Sequence, residues 1–597
     1  MILEKLKELA EREQLLAKES YGPQKIHAAV VIDRDGGFIG LQSRVEMISD
    51  GKRKPRPQPA LLAMPSPEGR RTAGDKAQFL YDKADYVFGI GDDPTKATNR
   101  KRLFRQLIAE ALSDTQDEGL RAVSTFLERF DRGEITLPAL AAEDPGAVFT
   151  FQDIDDPTAL ISDRPAVAAW WNSRRAASGD EEGFCILCGR KAPIVRTHPE
   201  LKNVPGGNTA GVALVSFNAP AFTSLGFHED RRHQNAPFCR NCADAYTRAL
   251  NRLLSPAFPS PAEPGTLLPR GNYRLSNDTV ALFWSSDPAV SSIFGPAFDG
   301  DPDSVRKIYQ SPHAGTKESP SDVRFYSIIL SGAQGRAVLR TAFDVTLTEV
   351  MNNLRRYFED IDLVPMYTSE PPILPLFMIV RALQPPGTRS IVPAMFAQHL
   401  YECAVRGTPY PASLLDTALR RLRAGEFTRP RIAVIKAILN GQRRTLPNPR
   451  QKEISMSLDP DNQETGYRLG RLLAILEKLQ ADAIHSPNAT IVDRYFGAAC
   501  ATPAVVFPQL MKLAQHHAAK SSRGGWYQRQ IQDVINGLDA AKAFPATLSL
   551  QQQGLFAVGY YHQRADLWAS KKGEPPTNEE LVLPTDSDAT TTKGSVQ

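Results

Sequence analysis

Four cysteines in two matched pairs give the strongest chemical signal in the chain. Cys185-Ile-Leu-Cys188 and Cys239-Arg-Asn-Cys242 are both Cys-x2-Cys pairs, and fifty residues separate them. Each pair places two thiolates on one tight turn, and two pairs complete the tetrahedral sulfur shell that Zn²⁺ binds. Only two other cysteines occur in the chain, which weakens the alternative that these four are ordinary buried thiols. We therefore predict a closed, structural Zn²⁺ site.

The segment between the two pairs is rich in Asn, Ser, Gly and Pro and offers no catalytic dyad. A metal at its two ends would pin a recognition loop. The chain also contains no G-x-x-x-x-G-K-[ST], G-x-S-x-G or H-E-x-x-H pattern. We predict that the protein is not an enzyme. Two alternatives stay open: a zinc-dependent nuclease, which would need an open coordination position, and a stand-alone RNA-binding protein.

Length and composition indicate a large multidomain protein. The chain has 597 residues, of which 42% are hydrophobic and 23% charged, so two to four domains are expected. The formal net charge of +4 favours no class of partner by itself. Six cysteines, four of them in metal-type pairs, suit a reducing compartment. No apolar run approaches 18 residues, and residues 1–9 are typical of an amphipathic helix, so we expect a cytoplasmic protein without a membrane segment.

The periodicity of apolar residues predicts the elements that position these groups. Residues 1–50 predict a short helix followed by a β-hairpin, and residues 100–180 predict mainly helix. In the central region we expect strands over Val212–Phe217, Val280–Trp284 and Arg324–Leu330. From about residue 371 the pattern is helical, and Leu469, Leu472, Leu476 and Leu479 recur at helical spacing.

These elements predict an α+β multidomain fold. Mixed α/β N-terminal and central regions, with a zinc-stapled insertion, precede an all-α C-terminal helical bundle. We place the domains at 1–180, at 181–370 with the four-cysteine site, at 371–455 as a basic helical connector, and at 456–597 as the helical bundle. Residues from Gly573 to Gln597 are rich in Pro, Thr, Asp and Ser and predict a disordered tail.

Basic residues are concentrated in three places. Ten basic residues against two acidic ones, between Arg406 and Arg450, give a local net charge of +8. Two shorter basic segments are Lys52-Arg53-Lys54-Pro55-Arg56 and Arg70-Arg71-Thr72-Ala73-Gly74-Asp75-Lys76. One charged run can be a solvated helix face, but three separate patches on a nearly neutral chain favour binding to nucleic acid. The predicted contacts are Lys52, Arg53, Lys54, Arg56, Arg70, Arg71, Thr72, Gly74, Lys76, Asn218, Asn235, Arg420, Arg421, Arg431, Lys436, Arg443 and Arg444.

Short motifs spread over nearly the whole chain carry a family resemblance. They include Leu214-Val215-Ser216-Phe217-Asn218-Ala219-Pro220 between the cysteine pairs, Tyr86-Val87-Phe88-Gly89 near the start, and Gly559-Tyr560-Tyr561-His562-Gln563-Arg564 near the end. In these motifs the chain resembles the large subunit of the subtype I-C CRISPR Cascade complex. The second cysteine pair departs from the pattern associated with that family, so the zinc site is a feature of this sequence.

The resemblance implies a non-catalytic subunit of an RNA-guided surveillance complex. Such a subunit reads a short protospacer-adjacent motif in duplex DNA, supports R-loop formation and recruits the helicase-nuclease, while base pairing with the guide reads the target. The implied partners are crRNA, target double-stranded DNA, a repeated backbone subunit, a crRNA-processing subunit and a small subunit. By position, Arg70–Lys76 corresponds to the family's DNA-probing loop, and Lys52–Arg56 lies beside it.

The resemblance has a second implication, for the C-terminal region. In this family that region is also made separately from an internal start codon, as the small subunit. Met456 precedes Ser457-Leu458-Asp459 at the head of the region, and Lys452-Glu453 could be encoded by a ribosome-binding sequence at suitable spacing. We therefore expect an internal translation start at Met456.

Overall fold

The computed structural model forms two compact units that interleave along the chain. Unit 1 comprises Met1–Tyr273, Asp278–Ser291 and Tyr326–Asp344, and unit 2 comprises Arg274–Asn277, Ser292–Phe325 and Val345–Gln597. The predicted boundary at 180 therefore lies inside unit 1, and those at 370 and 455 lie inside unit 2. The structure describes residues 2–16, 20–48, 56–67, 74–136, 146–157, 159–176, 181–217, 219, 222–223, 225–227, 229–261, 266–310, 323–384, 394–425, 427–445, 452–484, 488–538 and 544–569. The predicted C-terminal tail lies outside the described residues.

Unit 1 begins with the predicted helix and hairpin. Helix α1 (Ile2–Arg12) buries Leu6 and Leu9. Strand β1 (Tyr21–Ile26) precedes β2 (Ala28–Ile32), whose residues are almost all buried, and β2 pairs antiparallel with β3 (Phe38–Ser43). The turn between β2 and β3 needs glycine, since Gly36 has a φ of 71° and a Cβ there would collide with the backbone of Phe126. The predicted hairpin is confirmed.

The central sheet of this part of unit 1 contains a strand that the sequence did not predict. Strand β7 (Val148–Asp153) runs parallel to β2 and pairs antiparallel with β6 (Tyr81–Lys83), giving the order β3-β2-β7-β6. Residues 100–180 are therefore not all helical. Around this strand lie helices α2 (Ala84–Val87), α3 (Pro94–Thr115), α4 (Glu118–Asp131) and α5 (Pro165–Ala176). Trp171 on α5 is buried and stacks on Phe79 at a centroid distance of 5.0 Å.

A second, smaller sheet contains the strands that flank the first basic segment. Strand β5 (Arg56–Pro65) pairs with β1 through its Ala60–Pro65 part and with β4 (Val45–Ile48) through its Arg56–Pro59 part. Among the described residues, β4 and the first half of β5 therefore form a two-stranded ribbon. Met47 and Val45 on this ribbon are exposed.

The rest of unit 1 carries the cysteines. Strands β8 (Glu182–Phe184) and β9 (Lys191–Pro193) form a hairpin, and helix α6 (Arg240–Leu254) buries an apolar face that includes Leu250 and Leu253. Two short strands, β10 (Phe258–Pro259) and β11 (Leu267–Leu268), pair with each other. A four-stranded sheet follows in the order β12-β13-β14-β15, formed by Asn272–Arg274, Thr279–Ser285, Arg324–Ala333 and Arg336–Thr346.

This sheet confirms two strand predictions and corrects a third. The predicted strands at Val280–Trp284 and Arg324–Leu330 are β13 and β14. Val212–Phe217 is not a strand, because only isolated bridges hold it, from Val212 to Leu201 and from Ala213 to Arg336. An apolar run without a neighbouring strand along its length cannot build a ladder of hydrogen bonds.

Unit 2 is mainly helical. Its helices are α7 (Pro288–Phe298), which enters it from unit 1, α8 (Pro302–Gln310), α9 (Leu347–Ile361), α10 (Leu376–Arg381), α11 (Ala394–Arg406), α12 (Ala412–Arg423), α13 (Arg429–Thr445), α14 (Thr465–Ala483), α15 (Ile491–Ala501), α16 (Pro503–Lys520), α17 (Gly524–Asn536) and α18 (Leu550–Trp568). The predicted α+β class with C-terminal helices is confirmed. No helix in the described part of the chain is long and apolar enough to cross a membrane.

Helices α14 and α18 form the centre of the C-terminal bundle. The four leucines predicted from their spacing are all buried on α14. The two helices lie so close together that a Cβ at Gly470 or Gly559 would overlap the backbone of the opposite helix, so both positions require glycine. Tyr467 and His562 join them through a hydrogen bond of 2.8 Å between the hydroxyl and Nδ1. The C-terminal motifs that carry the family resemblance therefore form this helix-helix contact.

Candidate metal centre and nucleic-acid interface

The first cysteine pair lies on the tight turn between β8 and β9. The backbone N–H of Gly189 donates to the carbonyl of Cys185 at 2.8 Å, and the N–H of Cys185 donates to the carbonyl of Arg190 at 2.9 Å. Gly189 has a φ of 70°, a conformation that suits glycine. The sequence Cys185-Ile-Leu-Cys188-Gly189 therefore folds locally so that both thiols face the same side of the turn.

The second pair lies at the start of α6. Cys239 is the N-cap residue of this helix, and Cys242 is in its first turn. Two contacts bring this pair to the first one: Cys239 forms a β-bridge with Ile194, and the N–H of Ile186 donates to the carbonyl of Pro237 at 2.9 Å. These two backbone contacts hold the hairpin against the start of the helix.

The four sulfur atoms converge as predicted. All four Sγ atoms lie within 4.8 Å of one another, and Cys188 Sγ is 3.9 Å from Cys239 Sγ. A tetrahedral zinc–thiolate site with Zn–S bonds of about 2.3 Å has sulfur–sulfur distances of about 3.8 Å. Cys185, Cys239 and Cys242 are buried and Cys188 is partly buried. This arrangement could bind a metal ion, and four sulfur ligands leave no coordination position open for a substrate.

The thiols shift one another's ionisation. Hydrogen bonding from the Cys242 thiol lowers the pKa of Cys239 to about 5, whereas the same contact and burial raise the pKa of Cys242. Burial also raises the pKa of Cys188. One thiolate therefore forms readily at Cys239, and further thiolates crowded around it call for a cation to offset their charge.

His198 lies near the cluster but belongs to the core. Its Nδ1 is 2.6 Å from the hydroxyl of Tyr246, and its ring packs edge-on against Phe238. Burial lowers the pKa of His198 to about 4, so the imidazole is neutral at physiological pH. Among the described residues, the group of His, Cys, Asp and Glu side chains close enough to hold a metal comprises the four cysteines alone.

The two N-terminal basic segments lie largely outside the described residues. Lys52, Arg53 and Lys54 are not described, and of Arg56 only the backbone is described, at the start of β5. Arg70, Arg71 and Thr72 are not described either, whereas Gly74 and Lys76 are exposed. The roles predicted for these residues stay predictions.

One end of the second basic segment is firmly anchored. Arg100 on α3 donates to Asp75 at 2.9 Å and to Asp85 at 2.7 Å, and its guanidinium lies 5.4 Å from the ring centroid of Tyr86. The hydrogen bond from Arg100 lowers the pKa of Asp75. The chain that follows Gly74 is therefore fixed to a helix, a role for Arg100 that the sequence did not indicate.

Three of the basic residues predicted to contact nucleic acid in the connector are bonded to groups inside the protein. Arg431 donates to the carbonyl of Ala382 at 2.7 Å, Lys436 donates to that of Glu359 at 2.8 Å, and Arg443 bonds to the carbonyl of Lys452 and to Glu464. All three predicted contacts are at most 8% exposed. These bonds hold the three side chains inside unit 2, where they stabilise the fold, and their contact with nucleic acid stays a prediction.

The remaining predicted residues of the connector differ among themselves. Arg444 is half-buried and donates to Asp360 and to Glu453, each at 3.0 Å. Arg420 is exposed and pairs with Asp416 one helical turn away, and Arg421 is half-buried on the same helix. An exposed ion pair exchanges readily with solvent ions, so of this group Arg420 stays accessible to a phosphate.

The two asparagines predicted in the loop have different outcomes. Asn218 lies outside the described residues. The amide of Asn235 donates to the carbonyls of Phe227 at 2.8 Å and Arg232 at 2.9 Å, and it accepts from the N–H of Leu225 at 2.9 Å. Because these bonds use both its N–H groups and its oxygen, Asn235 holds the loop in shape.

A basic face on the C-terminal bundle was missed from the sequence. Lys512, His516 and Lys520 are exposed at intervals of four residues along α16, and Trp526 and Arg529 are exposed on the adjacent α17. Within the described chain, none of the three cations Lys512, Lys520 and Arg529 makes an ion pair. The i, i+4, i+8 spacing could have revealed this face, but counting histidines as neutral concealed it.

Comparison with known proteins identifies the family. A search of curated proteins gave no match. The family model described as CRISPR-associated protein (Cas_Csd1) matches residues 3–568, which is nearly the whole chain. The family predicted from the sequence motifs is therefore confirmed: this chain belongs to the Cas_Csd1 family of CRISPR-associated proteins, the large subunits of type I-C Cascade.

Proposed function

We propose that this Cascade large subunit reads the protospacer-adjacent motif in duplex DNA, supports R-loop formation and recruits the helicase-nuclease, without breaking a covalent bond itself. The observation that carries the proposal is the family match over residues 3–568. In such a complex, base pairing with crRNA selects the target while protein side chains read a short flank and hold the backbone. The subunit works with the other Cascade components in the cytoplasm.

The N-terminal part of unit 1 supports flank reading. The ribbon of β4 and β5 ends at Ile48 and resumes at Arg56, so its strands flank Lys52-Arg53-Lys54 in the sequence. A two-stranded ribbon has a width that the major groove admits, and Arg or Lys contacts to base edges discriminate by about 1–3 kcal/mol each. The second segment, Arg70–Lys76, is anchored beyond Gly74 by Arg100. Anchoring lowers the entropy lost when a loop binds.

The basic face of α16 and α17 supports a role in holding a DNA strand. Lys512, Lys520 and Arg529 supply positive charge, and Trp526, which is 37% exposed, supplies an aromatic surface. Cations combined with exposed aromatic rings bind single-stranded nucleic acid with little sequence preference. We assign the displaced strand of the R-loop to this face, which belongs to the part of the chain that corresponds to the small subunit.

The four-cysteine cluster supports a structural role for zinc. The sulfur–sulfur distance of 3.9 Å fits a tetrahedral thiolate site, and softness of the ligands favours Zn²⁺ over Mg²⁺ or Ca²⁺. Cys185, Cys188, Cys239 and Cys242 would hold the ion between the β8–β9 turn and the start of α6. Bound there, Zn²⁺ supplies folding free energy to this module and no reaction chemistry.

The decisive experiment is binding of the assembled, guide-loaded complex to a library of matched targets with a randomised flank. Wild type should enrich a short flank motif, and Arg70→Ala and Arg71→Ala should flatten that enrichment while crRNA remains bound. Arg306→Ala, an exposed arginine in unit 2 that pairs with Asp303, serves as the control and should leave the motif unchanged. A wild-type complex without any flank preference, or one that cleaves DNA without a helicase-nuclease, would refute the proposal and favour the alternative of a stand-alone RNA-binding protein or nuclease.

We further propose an internal translation start at Met456. A product beginning there would contain α14 to α18, whose central helices, α14 and α18, pack against each other. Intact-mass analysis of the expressed gene should show a fragment of residues 456–597 alongside the full chain. Synonymous recoding of Lys452-Glu453 should remove the fragment, whereas the same recoding of Lys478 should not. Absence of the fragment from cells that express the wild-type gene would exclude the internal start.

A further inference from the structure

The outer face of the β8–β9 hairpin carries an unusual combination of side chains. Phe184 is 70% exposed, more than any other aromatic residue in the described part of the chain, and Ile186 is 52% exposed. Both immediately flank Cys185 in the sequence. Burial of aromatic surface normally stabilises a fold, so a phenylalanine left in water beside a rigid turn indicates a surface used for binding.

Basic residues accompany this aromatic ring. Phe184 lies directly opposite Lys191 in the hairpin register, so the two side chains are on the same face. Lys191 pairs with Glu182 at 3.2 Å, and both side chains are more than 60% exposed, so this ion pair is weak and exchangeable. Arg190, the preceding residue, is exposed and makes no side-chain hydrogen bond or ion pair within the described residues.

From this face we infer that the four-cysteine module binds single-stranded RNA, with an unpaired base stacked on Phe184 and its phosphate on Lys191 and Arg190. A base offers a flat surface to the ring and a phosphate offers an anion to the two cations, and one nucleotide supplies both. An apolar protein partner would match the ring but would leave the cations unpaired. Naming RNA rests on the proposed function, because a guide-RNA complex keeps a single strand of RNA permanently bound, and small metal-pinned modules recognise unpaired RNA bases in this way.

The module is built to present the ring rigidly. The inner face of the hairpin packs on the protein, since Gly183 lies against Ile194 and Gln234. The turn that follows Phe184 is held by the bond from Cys185 to Arg190 and by the bond from Ile186 to Pro237, each at 2.9 Å. Little conformational freedom is therefore lost when a base stacks on the ring, which favours affinity.

The test is fluorescence anisotropy of the full-length chain with a fluorescein-labelled decamer of adenosine ribonucleotides, at constant salt. Phe184→Ala should weaken binding roughly 5- to 150-fold, the range for loss of one stacked base. Phe184→Trp, which keeps an aromatic ring, should bind as wild type. Phe377→Ala, which removes a half-exposed phenylalanine from unit 2, is the matched control and should also bind as wild type.

Three results would overturn the inference. They are wild-type affinity in Phe184→Ala, equal loss in Phe377→Ala, and binding of a deoxyadenosine decamer with the same affinity and the same dependence on Phe184. Unchanged circular dichroism and metal content in Phe184→Ala establish that the module is folded. Because the assay contains no duplex DNA and no guide complex, a negative result removes this RNA site and leaves flank reading to be judged by the randomised-flank experiment.

Discussion

The four-cysteine module in unit 1 and the basic connector in unit 2 both stood out as clusters of one residue type, yet the structure uses them in opposite ways. In the module the four side chains point at one another, with sulfur atoms within 4.8 Å. In the connector the cations point apart, and Arg429, Arg431 and Lys436 each donate to backbone carbonyls. Convergent sulfur atoms are placed so that they could bind a metal ion, whereas the divergent cations bond to partners within the protein.

This contrast shows that a cluster of one residue type in a sequence does not reveal whether the side chains are free to bind a ligand. A cysteine pair has a geometric meaning in itself, because a separation of three positions forces two thiols onto one turn. A run of arginines has no such geometric meaning until the partners of each side chain are known. The buried cations of α13 satisfy the carbonyl groups at the ends of neighbouring helices and loops, such as Leu363 and Pro371, which would otherwise be buried without donors.

The largest expected effect concerns the metal. Cys239→Ser removes one of the four sulfur ligands proposed for Zn²⁺, so zinc content should fall from one per chain to none, and the module should lose on the order of 10 kcal/mol of metal-coupled stability. Atomic emission and thermal melting with and without a chelator measure both quantities. The control variant Cys403→Ser, whose altered residue lies outside the cluster, should still bind one zinc ion per chain. One equivalent of zinc in Cys239→Ser would contradict the assignment of the ligands.

The next largest effect is expected from removing a buried cation of unit 2. Arg429 is 2% exposed and donates to the carbonyls of Leu363, Pro371 and Pro372. Arg429→Met leaves these acceptors buried without donors, so the free energy of unfolding should fall by roughly 3–5 kcal/mol. Arg420→Ala, an exposed arginine on the preceding helix, should change it by less than about 0.5 kcal/mol. Urea unfolding measures both variants, and equal effects would refute the contrast between buried and exposed cations.

Acid should weaken unit 2 through His562. Burial lowers the pKa of His562 to about 3, below the ordinary value of about 6.5 that it regains on unfolding. The unfolded chain then binds more protons, so the stability contributed above pH 6.5 is lost as the pH falls, by about 2 kcal/mol between pH 7 and pH 5. His562→Gln should remove that portion of the pH dependence in urea unfolding at fixed zinc concentration. A variant with the full wild-type pH dependence would assign the acid sensitivity to other groups.

The smallest effect is expected at Arg100, which anchors the end of the segment Arg70–Lys76 that is proposed to read the DNA flank. Arg100→Ala releases Asp75 and Asp85 from their shared guanidinium, so the loop must be ordered on binding, and preference for the best flank should fall roughly fivefold, about 1 kcal/mol. Arg102→Ala on the same helix is the control. Competition between two flanks on the assembled complex measures the ratio. An unchanged ratio in Arg100→Ala would show that the anchor does not serve flank reading.

Sequence patterns predicted the elements that have a distinctive period and missed those that depend on neighbours. Helix α1, the β2–β3 hairpin and the leucines of α14 follow from spacing alone. Strand β7 was missed because a short, doubly buried strand lacks alternation, and its identity depends on pairing with β2 and β6. Val212–Phe217 was predicted as a strand because its apolar run resembles one, but among the described residues it meets β15 only at Ala213, through a single bridge to Arg336.

The candidate sites, too, could be predicted where residue spacing alone defines them and could not where they depend on distant neighbours. The cysteine cluster could be predicted because four ligands and a short spacing define a metal site by themselves. The internal bonding of Arg431 and Lys436 could not be predicted, because it depends on carbonyl groups more than forty positions away in the sequence. The exposed face of α16 was within reach of helical periodicity, but counting His516 as neutral left only Lys512 and Lys520 as cations on it.

The measurement that bears most directly on the account is the salt dependence of target binding by the assembled complex. Exposed cations release counterions when they meet phosphates, so the double variant Lys512→Ala, Lys520→Ala should lower the slope of log affinity against log salt by about 1.4, since each contact with a single strand contributes about 0.7. Lys307→Ala, an exposed lysine on α8, should leave the slope unchanged. A lower slope in the double variant alone is the expected result; a double variant with the wild-type slope would contradict nucleic-acid binding by this face.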